Sequence, residues 1–249
     1  MNDTRIRRVL AAAGAVAVTT TSLVTMAGQV AHATEASTRS PHHPSPSHFT
    51  HGRVTNPYYP LKPGTVLVYR GRTGGQPSRD IVVVVDRTRV IDGVRCRVVL
   101  DRLYINGVLK ERTRDFFAQT KAGTVWYFGE HTAELDRHGQ VTSREGSFLS
   151  GRDGAEAGIF MPAHPHVGDA YRQEDYPGHA EDRFVIRSRT AHVATPVVTS
   201  DHALRTAERS ELDPGVVEHK RYVRGIGDVA DRSVKGESDH QELVAIRHR

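Results

Sequence analysis

The stretch Asp115-Phe116-Phe117-Ala118-Gln119-Thr120-Lys121-Ala122-Gly123-Thr124-Val125-Trp126-Tyr127-Phe128-Gly129-Glu130 decides the fold. Two apolar, aromatic-rich runs are joined by a short turn that ends in glycine, and the chain's only tryptophan lies in the second run. β-Branched and aromatic residues around such a turn signal a β-hairpin. With Lys121-Ala122-Gly123 as the loop and Gly123 left-handed, Thr120 faces Thr124, Ala118 faces Trp126, Phe116 faces Phe128 and Arg114 faces Glu130. Asp115, Phe117, Gln119, Val125 and Tyr127 then share the other face. This register sets the flanking acids, Asp115 and Glu130, on opposite faces, so they are not expected to act as a carboxylate pair.

The same rhythm extends on both sides. Upstream, Thr65 to Arg70 and Ile81 to Asp86 read as strands, and Asp92-Gly93 and Asn106-Gly107 are hairpin turns that make the segment a meander. Downstream, strand signals run from Asp169 to Asp175, Ala180 to Thr190, Ala194 to Thr199, His202 to Leu212, Val216 to Val223, Gly227 to Val234 and Gln241 to His248. Helical periodicity with start and stop signals is weak throughout. The expectation is a mostly β fold of about ten strands, an antiparallel meander curled into a barrel, half-barrel or sandwich. Between Glu145 and Gly168 a Gly-rich segment without a period reads as a long functional loop, a candidate cover.

Residues 1–33 read as a secretory signal peptide: Arg5, Arg7 and Arg8 precede an apolar run from Val9 to Val18, and Ala31-His32-Ala33 is a cleavage signal. Residues 34–55 read as a disordered Ser/Pro/His-rich linker, and 56–249 as a single β-rich domain. No stretch beyond the leader approaches the roughly 20 apolar residues of a membrane-spanning helix, so the mature chain is expected to be secreted, with no transmembrane segment. The formal charge of +5 is spread along the chain with acids interleaved. That distribution argues against nucleic acid as a partner. Cys96 is the single cysteine, set in the alternation Val94-Cys96-Val98, and reads as a buried, inert thiol.

Candidate site residues come from three places. Trp126 and Glu130, with Arg114 opposite, mark a pocket rim where burial would raise the carboxyl pKa. Glu218, Lys220 and Tyr222 share one face of a strand and form a polar wall suited to ligand contact or proton transfer. His164 and His166 are spaced to chelate a metal ion on extended backbone, given further ligands. The doublets Glu174-Asp175 and Glu181-Asp182 read as solvated surface. Nucleophile-elbow, phosphate-loop and zinc-protease motifs are absent, and no cofactor is indicated.

The segments Asp115–Gln119, Val125–Glu130, Met161-Pro162-Ala163 and Glu218-His219-Lys220 resemble an uncharacterised family of secreted or lipoprotein β-rich bacterial proteins. The resemblance implies an envelope or extracellular location and no established activity. From the residues themselves the leading expectation is a protein that binds a small or amphipathic ligand in a curled sheet. The alternatives are an extracellular enzyme using acids of the same concavity, and an envelope interaction protein without a pocket.

Overall fold

The computed structural model describes residues 43–249. The predicted leader and the first part of the predicted linker lie outside the described residues. Most of the described chain is strand, none of it is α-helix, and a fifteen-stranded antiparallel sheet dominates it. Thirteen strands carry the path of that sheet: β1 (Thr65–Thr73), β2 (Gln76–Ile91), β3 (Val94–Ile105), β4 (Val108–Gln119), β5 (Val125–Leu135), β6 (Glu156–Met161), β7 (Ala170–Arg172), β8 (Glu174–Asp175), β9 (Asp182–Ala194), β10 (Thr199–Ser210), β11 (Val217–Val223), β12 (Gly227–Lys235) and β13 (His240–His248). Spatial order begins at β7, runs β9 to β13, passes through β1 to β6, and ends at β8.

The first and last members of that path are one stretch of backbone. β7 pairs with β9, β8 pairs with β6, and only Gln173 separates them. Gln173 N–H donates to Asp182 O at 2.8 Å, so residues 170–175 bridge both edges and close the sheet. At the seam, a Cβ on Gly158 would lie 2.2 Å from Gln173 O, so the close approach of β6 requires glycine. Closure leaves no long unpaired edge, the hazard of an antiparallel sheet.

Strand alternation sorts side chains to two faces. The inner face holds Val84, Val99, Phe117, Tyr127, Phe160, Phe184, Leu204 and Tyr222 as one buried cluster. On the outer face, Cys96, Val98, Phe116, Ala118, Trp126 and Phe128 form a second cluster, covered by Phe49 and Leu149. Residues 43–55 therefore differ from the expected linker. A 3-10 turn at Pro46–His48 leads Phe49 onto the hairpin, where it bridges to Thr120 and is 1% exposed. Gln119 Oε1 accepts from the backbone N–H groups of Thr55 and Asn56, each at 2.7 Å. The apolar residues Phe49 and Val54, scarce in that stretch, are enough to anchor it.

The Gly-rich segment is not a cover. Phe148–Leu149 and β6 both pair with β5, so the segment belongs to the wall. Cys96 is fully buried, and burial pushes its thiol pKa up, in keeping with an inert side chain.

Candidate functional site

The central hairpin departs from its simple register at one point. Gln119 to Phe117 pair with Val125 to Tyr127 as expected, but the register shifts and Asp115 then faces Glu130 directly. The cause is a bulge at Gly129, which has φ 115° and whose Cβ, if present, would lie 2.2 Å from Phe148 O. An extra residue in β5 turns Glu130 to the inner face and moves Arg114 opposite His131. The two acids expected on opposite faces are thus brought together.

Tyr127 Oη lies 2.8 Å from Asp115 Oδ1 and 2.9 Å from Glu130 Oε2. A phenol has one hydrogen to donate, so one contact needs a carboxyl as donor. Glu130 fits that role: it is fully buried, and burial, then the nearby Glu174 and Asp115 carboxyls, push its pKa well above the ordinary range. A protonated carboxyl is the cheaper form of an acid with no cation beside it.

Further acids occupy the inner face. Glu174 and Asp182, read from sequence as solvated, are each 1% exposed at the closing seam. Burial and the Asp182 charge hold Glu174 well above its usual pKa, and burial pushes Asp182 up to about 7 against the pull of Ser210 and Lys220. Lys220 Nζ sits 3.0 Å from Glu208 Oε2 and 4.0 Å from Glu218 Oε2. Burial alone would lower the ammonium pKa, but the Glu208, Glu218 and Asp231 charges win and hold it above the lysine range. Tyr222 Oη donates to Glu208 Oε1 at 3.2 Å, and burial with the Glu208 charge raises the phenol pKa. The Glu218, Lys220, Tyr222 face therefore points inward, yet with Lys220 and Tyr222 locked in their protonated forms it offers no base from either at neutral pH.

Beside this group lies a cavity of about 100 Å³. Nine carboxyl groups line it, from Asp80, Asp101, Glu111, Asp115, Glu218, Asp228, Asp231, Glu237 and Asp239, against the permanent cations Arg72 and Lys220. Its apolar walls come from Leu67, Val82, Val84 and Val99, and its rings from Tyr59, Tyr69, Phe117, Phe160 and Tyr222. Asp228 and Asp231 share its wall because the register between β11 and β12 shifts beyond Arg221. Burial, then the Asp231 charge and a hydrogen bond between the two carboxyls, raise the Asp228 pKa well above normal. Asp231 Oδ2 accepts from Gln241 Nε2 at 2.7 Å, while its buried Oδ1 has no hydrogen-bond partner.

No family model matches the sequence, and no curated protein matches it. Two solved structures are similar to it. One is a proposed exported protein with YmcC-like fold from Bacteroides fragilis, 10% identical, with a TM-score of 0.44 over 76% of this chain and 98% of that one. The other is a proposed lipoprotein from Parabacteroides distasonis, 12% identical, with a TM-score of 0.33 over 78% of this chain and all of that one. Both are of the kind that the sequence resembles.

The remaining expected residues lie elsewhere. Trp126 is buried in the outer cluster, and Arg114 is exposed on the outer face, so neither meets Glu130. His164 and His166 are exposed, and His166 Nδ1 lies 3.5 Å from Asp169 Oδ2. Among the described residues no three His, Cys, Asp or Glu side chains converge as a metal set. Asp80, Asp101, Glu111, Asp228 and Asp231 were missed. Asp80 only precedes the unbroken apolar run Ile81 to Val85, and Asp101, Glu111 and Asp231 each sit beside an arginine, so nothing local marks their face as an interior until closure makes it one.

Proposed function

We propose that this chain is a binding protein, working outside the cytoplasm, that takes a small cationic amphiphile into its closed sheet. The carrying observation is the charge of the cavity: nine carboxyls and five aromatic rings line it in a chain of net charge +5. Carboxyls near a low-dielectric wall repel one another and favour a cation, and aromatic faces add cation–π attraction for an ammonium group. A volume of about 100 Å³ takes the alkylammonium head, and the apolar wall of Leu67, Val82, Val84 and Val99 meets the start of its chain. The leader read from the sequence supports the location.

The test is calorimetric titration with decyltrimethylammonium, decanoate and decyl glucoside. The cationic probe is expected to bind, and Asp231→Asn with Asp228→Asn to weaken it at least tenfold. Affinity should rise with pH, because a cation favours the ionised Asp228. Equal binding of all three head groups, or binding of none, refutes the reading.

A further inference from the structure

We infer that the outer face of β2 to β5 carries a second, separate site, for an anionic amphiphile with a phosphate head. Here the sheet forms an open hollow of about 1020 Å³, lined by Arg87, Arg89, Arg102, Arg112, Arg114 and Arg144. Five of these are exposed and Arg89 is half-buried. The one carboxyl in the lining, Asp101, also lines the inner cavity. Among the described residues, none of the six arginines makes an ion pair; the arginines that do are Arg97, Arg172 and Arg183.

Register makes this concentration costly. Arg102 faces Arg112 across the β3–β4 ladder, and Arg114 faces His131 across β4–β5. The Arg102–Arg112 pair sets like charges directly opposite one another, which destabilises a sheet, and a carboxylate at either of those two positions would relieve it. The His131 ring reports the resulting field: burial, then Arg89, Arg114, Arg144 and Arg152, lower its pKa. It stays neutral and accepts from Arg89 Nη1 at 2.7 Å. Arg89 also lies over the Phe116 ring, 5.0 Å from its centroid, so the guanidinium is held in place before any anion arrives.

Beneath the charges the floor is apolar, made by Val85, Val98, Leu100, Leu109 and Phe116. Arginine forks match phosphate oxygens in pairs, and the floor takes a short chain. This site has the opposite charge preference to the inner cavity and lies on the other side of the sheet, so the two stand or fall separately.

The experiment titrates the protein with monomeric dihexanoylphosphatidic acid, followed by calorimetry. Inorganic phosphate, dihexanoylphosphatidylcholine and vesicles of a long-chain phosphatidylglycerol form the other arms. Tightest binding of the phosphatidic acid is expected, with a loss of at least tenfold in an Arg102→Gln, Arg112→Gln double variant. That variant should melt no lower than the parent, since it removes a repulsion. Phosphate or phosphatidylcholine binding as tightly as the phosphatidic acid overturns the inference. So does binding to vesicles alone, binding of none, or a double variant that binds as the parent does.

Discussion

Replacing Lys220 by methionine tests how the inner face is held together. Lys220 and Glu208 are 1% and 0% exposed, with the ammonium nitrogen 3.0 Å from Glu208 Oε2. At an effective dielectric of about 20 their attraction is about 5.5 kcal/mol before the cost of taking both charges from water. Methionine keeps the length and apolar stem of lysine, so an empty volume contributes little. What remains is a buried carboxylate without its cation, and removing one partner of such a pair costs about 3–5 kcal/mol. For a domain of this size that is a fall of roughly 6–20 °C in melting temperature. A buried carboxylate without a cation takes up a proton, so the deficit should shrink at acid pH. Circular-dichroism melts at about pH 8 and pH 5 measure both effects. Adding Glu208→Gln to Lys220→Met removes the stranded charge, and should recover most of the loss. A single variant that melts within about 2 °C of the parent at pH 8, or a double variant no better than the single, refutes the reasoning.

Three further outcomes follow from the same geometry. The Asp182 carboxyl is pushed up to about 7 in the fold but titrates near its ordinary value when unfolded. The folded state therefore holds more protons between those values and loses stability as pH rises through them. Asp182→Asn should flatten that fall, by at most roughly 4 kcal/mol, in urea unfolding followed across the range; an unchanged pH slope counts against it. Gly129→Ala should cost at least about 2 kcal/mol, from the positive φ and the clash with Phe148 O, and a loss below about 0.5 kcal/mol would remove the bulge from its assigned role. Trp126→Phe should cost about 1–2 kcal/mol, since Nε1 has no hydrogen-bond partner to lose. It should leave decyltrimethylammonium affinity unchanged, and a tenfold loss would place the ring at the cavity.

Alternation and turn chemistry made the antiparallel meander legible, because the period of two and turns such as Asp92-Gly93 and Asn106-Gly107 are local properties. Curling was legible as a barrel, half-barrel or sandwich, but the closure that selects among them was not. Closure rests on Gln173 linking two short strands, and nothing local distinguishes Glu174 and Asp182 at a seam from acids in water. The hairpin shows the limit most sharply. Its loop register held from Gln119 to Phe117, then failed because Gly129 sits where Phe148 crosses β5, a contact between segments remote from the turn. One extra residue reversed the face of Glu130 and joined it to Asp115. Glu218, Lys220 and Tyr222 share one face as the alternation predicts, since both register shifts along β11 place the extra residue in β12, at Val234 and Val229, and leave the alternation of β11 intact.

The interior acids are not a requirement of the fold. Replacing buried ionic groups with apolar residues of similar volume is often neutral or stabilising, so a closed sheet could be built with a more apolar interior. Asp80, Asp231, Glu111 and Glu130 are each at most 5% exposed, and each gives up hydration to be there. The outer arginines likewise sit opposite one another where a carboxylate would relieve the strain. Alternation carries both arrangements at once: in Glu111-Arg112-Thr113-Arg114-Asp115 the acids point inward and the arginines outward, and a slip of one residue would exchange them. A stability cost on each face, opposite in sign of charge, is what ligand binding at each face would offset. On the proposed reading it is this cost, more than the presence of a cavity, that argues for a ligand, and the titrations with cationic and anionic amphiphiles test it face by face.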